Sequence, residues 1–291
     1  MTKKILLQTT IPTTADDWDI ARFRLLSEFL DGQQATDGSK LFSVTARDRD
    51  TATGPDAVLS RIDASDFDQL WLFAVDTGDG LSPEDCAAIS RFRERGGGLL
   101  VTRDHMDLGS SVCTLGGVGL AHHFHSKNPE ADPVRQKIDD PFTSYILWPN
   151  YHSGANGDYQ EIASQGAVHP VLRDPRQPGR ALRFLPAHPH EGAVSAPPDD
   201  ASARVIATGR SKVTGIDFNI AVAFEPSDGN GAAIAQSTFH HFCDYNWDVG
   251  AGAPSFVDEP PGNGLAENPE ALRATRAYMR NVALWLAGLS A

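Results

Sequence analysis

The chain predicts an α/β fold with a doubly wound, mostly parallel sheet, on three observations. The first hundred residues alternate strand-type and helix-type patterns. Gln69-Leu70-Trp71-Leu72-Phe73-Ala74-Val75 is a continuous apolar run, as suits a strand covered by helices on both faces. Gly96-Gly97-Gly98 then closes a helix directly before the next apolar strand. Such alternation of strand and helix is the pattern of a parallel sheet.

Residues 3–9 form the first short apolar strand, and Thr14-Ala-Asp-Asp17 reads as a capping box. Ile20, Phe23, Leu26, Phe29 and Leu30 then recur at helical spacing. Residues 41–46 alternate as a second strand, and 69–75 is the third. Ser82-Pro83-Glu84-Asp85 starts a helix: serine caps, proline takes the first turn and the acids face the dipole. Ile89 and Phe92 continue its buried face, and residues 99–102 come next as a strand. Residues 126–200 hold 11 of the 19 prolines, which predicts an insertion of loops and short turns. Regular structure resumes at 204–208, 219–224 and 232–236. The last two strands are separated by Pro226-Ser-Asp-Gly-Asn-Gly231, which predicts an antiparallel hairpin toward the C-terminus. Asn268 caps and Pro269 opens a closing helix with the stripe Leu272, Met279, Val282 and Leu286. The expectation is one domain over residues 1–291, with the proline-rich insertion inside it.

Composition narrows the partners. A formal net charge of −13 leaves no basic stripe to displace counterions from phosphates, so nucleic acid and anionic membrane surfaces are disfavoured and a small-molecule substrate is favoured. No apolar run approaches the ~18 residues of a membrane span, and polar residues come directly after the first apolar triplet. Three cysteines without a CxxC spacing suit a reducing compartment, so a cytoplasmic protein is expected.

Ligands of parallel α/β sheets collect where strands end at their carboxyl edge. There the strand at 99–102 delivers Arg103, Asp104 and His105. A carboxylate and an imidazole at that place suit general acid–base work; the alternative is a helix cap beside a solvated histidine. Downstream, Ser237-Thr-Phe-His240-His241-Phe-Cys243-Asp244 puts His240 and Asp244 at i, i+4 if Ser237 caps a helix. The alternative there is a core segment with buried, hydrogen-bonded histidines. Asp104, His105, His240 and Asp244 are therefore the catalytic candidates. Thr9, Asp76, Thr77, Arg103, His190 and His241 are candidates for contacting a substrate. His122-His123-Phe124-His125 is the densest histidine cluster. His122, His123 and His125 offer imidazoles to a divalent metal such as zinc, or else hydrogen bonds to a polar substrate. His188-Pro189-His190-Glu191 is a similar group inside the proline-rich stretch.

The order of these segments resembles a family. Asp76-Thr77-Gly78-Asp79 ends a strand, Leu81-Ser82 opens a helix, and the glycine run leads to a strand ending in polar residues with His105. Then come Val168-His169-Pro170-Val171, Arg204-Val-Ile-Ala-Thr-Gly209, Ile220-Ala-Val-Ala-Phe224, the strand running into Ser-Thr-Phe-His240, and Ala-Leu-Trp-Leu-Ala-Gly288. The succession resembles the ThuA-like (trehalose utilisation) proteins of the class I glutamine amidotransferase-like superfamily. That resemblance implies a flavodoxin-like core, carbohydrate metabolism, and His240 near the place of the superfamily's late catalytic histidine. Glutaminases of this superfamily display cysteine within Gly-x-Cys-x-Gly, whereas here the turn reads Thr102-Arg103-Asp104-His105-Met106. Three functions are consistent with these residues: an acid–base enzyme acting on a small polar, sugar-derived substrate; a metal-dependent hydrolase or isomerase built on the histidine clusters; and a non-catalytic binding or assembly protein.

Overall fold

The computed structural model describes residues 1–14, 18–115, 117–177 and 179–289. Four strands build the first half: β1 (Lys3–Pro12), β2 (Phe42–Arg49), β3 (Gln69–Phe73) and β4 (Gly98–Thr102). The middle adds β5 (His122–His123), β6 (Tyr159–Glu161), β7 (Ala163–Ser164), β8 (Phe184–Pro186) and β9 (Ala193–Val194). β10 (Ala203–Arg210), β11 (Asp217–Phe224) and β12 (Ala233–Gln236) complete the set. The main sheet runs in the order β2-β1-β3-β4-β12-β11-β10-β7. Its first five strands are mutually parallel and its last three antiparallel to their neighbours. The expected hairpin is present, closed by reciprocal bonds between Ser227 and Asn230 at 3.0 Å.

Alternation of side chains along the strands divides the core. Ile5, Leu7, Trp71, Phe73, Leu100 and Ile234 enter one cluster, while Leu6, Leu70, Leu72, Leu99, Val101 and Ala235 enter the other. The first cluster is covered by α1 (Arg24–Asp31) through Leu26 and Leu30, and by the closing helix through Met279 and Val282. The second is covered by α2 (Pro83–Glu94) through Ile89 and Phe92. Helices on both faces give the doubly wound α/β arrangement. Each such fully buried side chain contributes roughly 1.5–3 kcal/mol.

The helix starts largely follow their caps. The Ser82 hydroxyl and the Asp85 carboxylate form a reciprocal capping box on α2, and Gly96 at φ 94° stops the chain from continuing the helix. After α3 (Asp244–Trp247) and α4 (Gly264–Glu267), Asn268 accepts the N–H groups of Glu270 and Ala271 to open α5 (Pro269–Leu286). The capping box expected at 14–17 falls on residues 15–17, outside the described residues. The turn before α1 is instead a 3-10 helix, Ile20–Phe23, capped by Asp19.

The proline-rich middle is less irregular than expected. Its two- and three-residue strands pair as β5 with β9 and β6 with β8, and β7 extends the main sheet beside β10. Tyr151, Ile162 and Leu185 join the first core cluster, and Val194 joins the second. The segment also presses against the loop after β4. A Cβ on Gly192 would lie 2.5 Å from the Asp104 carbonyl, so only glycine admits this approach. Among the described residues no helix is long and apolar enough to cross a membrane.

Candidate active site

Register sets the site. Thr102 of β4 pairs with Phe73 of β3 and with Gln236 of β12, so the chain leaves all three strands at one level. The three exits are residues 74–76, 103–105 and 237–240. The Phe239 N–H donates to the Arg103 carbonyl at 2.8 Å, tying two of these exits together. Thr238 caps the 3-10 helix Phe239–His241 by accepting the His240 N–H, and its hydroxyl donates to Asp104 Oδ1 at 2.9 Å. Met106, at φ 47°, turns the chain sharply after His105.

Three imidazoles surround the Asp104 carboxylate. His188 Nε2 lies 3.2 Å from Oδ1; His105 Nε2 and His240 Nε2 lie 3.5 and 3.6 Å from Oδ2. The His188 and His240 rings stack with centroids 3.4 Å apart. Burial opposes ionisation of Asp104, but the imidazoles, His188 foremost, outweigh it and hold the carboxyl well below the ordinary carboxylate range. Burial also opposes a charge on His240, yet Asp104 beside it pushes its pKa up to about 10. His188 is driven well below the usual histidine range by burial and by His240. Burial lowers His105 to about 4. Asp104 thus favours a charge on His240, while burial disfavours one on His188 and His105.

The cluster forms the floor of a cavity of about 480 Å³. Exposed aromatic side chains of Phe142, Tyr145 and Phe256 stand on its walls. A second acidic group sits beside the first: His190 Nε2 hydrogen-bonds the Asp140 carboxylate and lies 3.3 Å from Glu259. The His190 ring centroid is 5.3 Å from that of His188 and 5.4 Å from that of His105. A polar floor under apolar walls is the usual composition of a small-molecule site.

Among the residues singled out from sequence, Asp104, His105, His190 and His240 therefore meet in one cavity. Asp244 does not join them. The helix expected from Ser237 breaks at Cys243, whose backbone is extended; the cap is Thr238, and the Ser237 hydroxyl donates to Glu191 instead. Asp244 starts α3 and accepts the Leu25 N–H at 2.7 Å, so the i, i+4 pairing with His240 is absent. His241 points the other way, bonding Gln236 and Gln160 within the buried network of Glu191. Asp76 pins its own loop by accepting from Thr10, Gly78 and Ser111, while Thr77 is exposed. Thr9 is buried and donates to the Ile11 carbonyl. Arg103 lies over the Phe124 ring, 4.0 Å from its centroid, and donates to the Met106 carbonyl.

The 122–125 histidines stand apart from the cavity and do not share one direction. His122 is buried, His123 bonds the Asn128 carbonyl and the Ser195 hydroxyl, and His125 packs on Trp148. None of the three lines that cavity: β5 pairs with β9, and the His125 N–H donates to the Met106 carbonyl at 3.2 Å. Among the described residues none of the three belongs to a group of converging ligand atoms. The two such groups are Asp104–His188–His240 and Asp140–His190–Glu259. Asp140 and Glu259 are the members that sequence reasoning does not select, and His188 is named there only within the His188-Pro189-His190-Glu191 group. The repeated His-Pro-His at 188–190 is the available signal for His188.

Comparison with known proteins gives the fold. A protein from Parabacteroides merdae described as ThuA-like aligns over 100% of this chain and 92% of its own, at 14% identity and a TM-score of 0.50. A glutaminase domain of Trypanosoma brucei CTPS, solved with bound acivicin, aligns over 97% of this chain and 94% of its own, at 16% identity and a TM-score of 0.50. At these identities the likeness is one of fold, and it agrees with the flavodoxin-like core that the sequence resemblance implies. No protein-family model matches the chain, and no curated protein sequence matches it.

Proposed function

We propose that this chain is a ThuA-like enzyme acting on a small polar, sugar-derived substrate by acid–base chemistry. The observation that carries this reading is the buried Asp104 carboxylate, ringed by three imidazoles on the floor of an open cavity. Placing a carboxylate and three imidazoles together costs desolvation energy, and such mutually perturbed clusters, when they open into a cavity, concentrate at functional sites. His105, 20% exposed at the side chain and neutral, is suited to accept a proton from a substrate hydroxyl. His240, held as imidazolium by Asp104, is suited to return one. Phe142, Tyr145 and Phe256 offer flat apolar faces to the C–H face of a sugar ring.

Glutamine hydrolysis is not part of this reading. The turn after β4 carries aspartate and histidine rather than cysteine, and Cys86 and Cys243 are buried. The test is a screen of phosphorylated, oxidised and glycosidic sugar derivatives, with product analysis on the wild type and on Asp104→Asn. Acid–base groups contribute typically 10²–10⁴-fold. We expect kcat/KM to fall by at least about 100-fold in the variant, assayed at a temperature where circular dichroism shows it fully folded. Equal turnover by Asp104→Asn would overturn the assignment.

A further inference from the structure

The hydrogen positions around the stacked imidazoles can be read from their partners. Asn246 Nδ2 lies 2.8 Å from the Ala187 carbonyl, which can only accept, so this atom is the amide nitrogen and Oδ1 faces the other way. That oxygen is 3.0 Å from His240 Nδ1, so Nδ1 carries the hydrogen. Asn246 Nδ2 also donates to Asn156 Oδ1 at 2.9 Å, and the same oxygen is 2.8 Å from His188 Nδ1, which therefore carries a hydrogen as well. Both Nε2 atoms consequently turn toward the Asp104 carboxylate, His188 Nε2 at 3.2 Å and His240 Nε2 at 3.6 Å. His188 is 3% exposed at the side chain, and its Nε2 has no hydrogen-bond partner. With both ring hydrogens held at Nδ1, the two Nε2 atoms and the carboxylate oxygens converge on one small buried volume, an arrangement of acceptor atoms that costs free energy unless something positive lies between them.

A cation satisfies all three groups at once. We propose that Nε2 of His188, Nε2 of His240 and the carboxylate of Asp104 form a site for one divalent transition-metal ion of the zinc type, with the cavity supplying the remaining coordination position. The three ligand atoms already lie within 4.8 Å of one another, and a two-imidazole, one-carboxylate set with an open position is a recurrent catalytic zinc arrangement. Asn156 and Asn246 do what outer partners of metal-bound histidines do: each accepts the distal ring N–H and so fixes the tautomer. Thr238 plays the same part for the carboxylate. Loading requires the parallel rings to splay about their Nδ1 bonds, so that each ring plane contains the ion.

The neighbouring group Asp140–His190–Glu259 lacks this argument. Asp140 accepts from the N–H groups of Phe142 and Thr143 as well as from His190, and Glu259 accepts from Thr143, so one proton on His190 leaves nothing unmatched. The proposal rests on the same cavity as the enzyme reading but puts the ion where that reading puts the His240 proton, so with metal bound His240 holds the ion and does not return a proton. The test needs no substrate, and failure to bind metal leaves the acid–base reading standing.

The experiment uses full-length protein without a histidine tag, stripped by a chelator and titrated with zinc and with cobalt. Bound metal is measured by elemental analysis, and the cobalt form by its visible d–d bands. The expected result is one ion per chain with a low-symmetry cobalt spectrum. His188→Gln and His240→Gln should lose the ion and the spectrum. Asn246→Ala should bind ~10–100-fold more weakly, as loss of an outer hydrogen-bond partner does. A variant carrying His123→Gln and His125→Gln should bind as the wild type does. Wild type that takes up no metal at micromolar zinc would overturn the site, as would full occupancy in folded His188→Gln and His240→Gln proteins. Loss of metal only in the 123/125 variant would move the site to the other histidine cluster and overturn it equally.

Discussion

Asp244 shows how a residue chosen for one role takes another. Its carboxylate accepts the Leu25 N–H and sits 3.9 Å from the exposed Arg24 guanidinium, too far and too solvated to offset its burial. Burial therefore raises its pKa from 3.8 to about 6. The folded chain holds this proton more tightly than the unfolded chain. The associated stabilisation is present below about pH 4 and is lost as the pH rises through about 6. Asp244→Asn keeps an acceptor for Leu25 but has no proton to lose. Its melting temperature relative to wild type should rise between about pH 4 and 7, with the variant the more stable above pH 6. Parallel profiles in differential scanning calorimetry would show that Asp244 ionises freely in the folded chain. At this scale the sequence discloses Asp104, His105 and His240, because strand ends mark the carboxyl edge without knowledge of tertiary contacts. It does not disclose Asn156 and Asn246, whose importance lies in their bonds to the His188 and His240 rings and in the one bond that joins them across 90 residues.

The elements are legible where their ends carry chemistry. Ser82, Pro83 and Asp85 specify the start of α2 by local geometry alone, as Asn268 and Pro269 do for α5. Asp85 does more than cap: it accepts the Asp56 N–H at 2.9 Å and lies 3.4 Å from Arg49, with both side chains of this pair almost fully buried. Ser82→Ala should therefore cost about 1 kcal/mol, the usual value of one cap. Asp85→Ala should cost roughly 3–5 kcal/mol, since it leaves the Arg49 charge buried beside a lost partner. Urea unfolding of both variants checks the ratio, and equal losses would mean that the Arg49 contact contributes nothing. The segment after β12 defeats local reading for a related reason. Both Ser237 and Thr238 can cap by residue type; in the structure the Ser237 hydroxyl donates to Glu191 while Thr238 caps the turn and donates to Asp104.

At the scale of the molecule, the doubly wound, mostly parallel sheet follows from the alternation of strand and helix patterns, whereas the contribution of the proline-rich middle does not. Two- and three-residue strands such as β5 and β9 are too short for periodicity to reveal, and their pairing depends on contacts distant in sequence. Yet this segment completes the site: His188 and His190 come from it, and the loop at 140–146 forms a wall. The cavity therefore depends on the docking of residues 126–200 against the exits of β4 and β12. The most direct test of the central claim, that the Asp104 cluster is where this protein meets its ligand, is a crystal structure of tag-free protein grown with the best-bound sugar derivative from the screen. The predicted result is density for that molecule in the 480 Å³ cavity, hydrogen-bonded to His105 or Asp104 and lying against Phe142, Tyr145 or Phe256. Density instead in the open groove beside Asp158, Arg210 and Lys212, and none in the Asp104 cavity, would contradict the account.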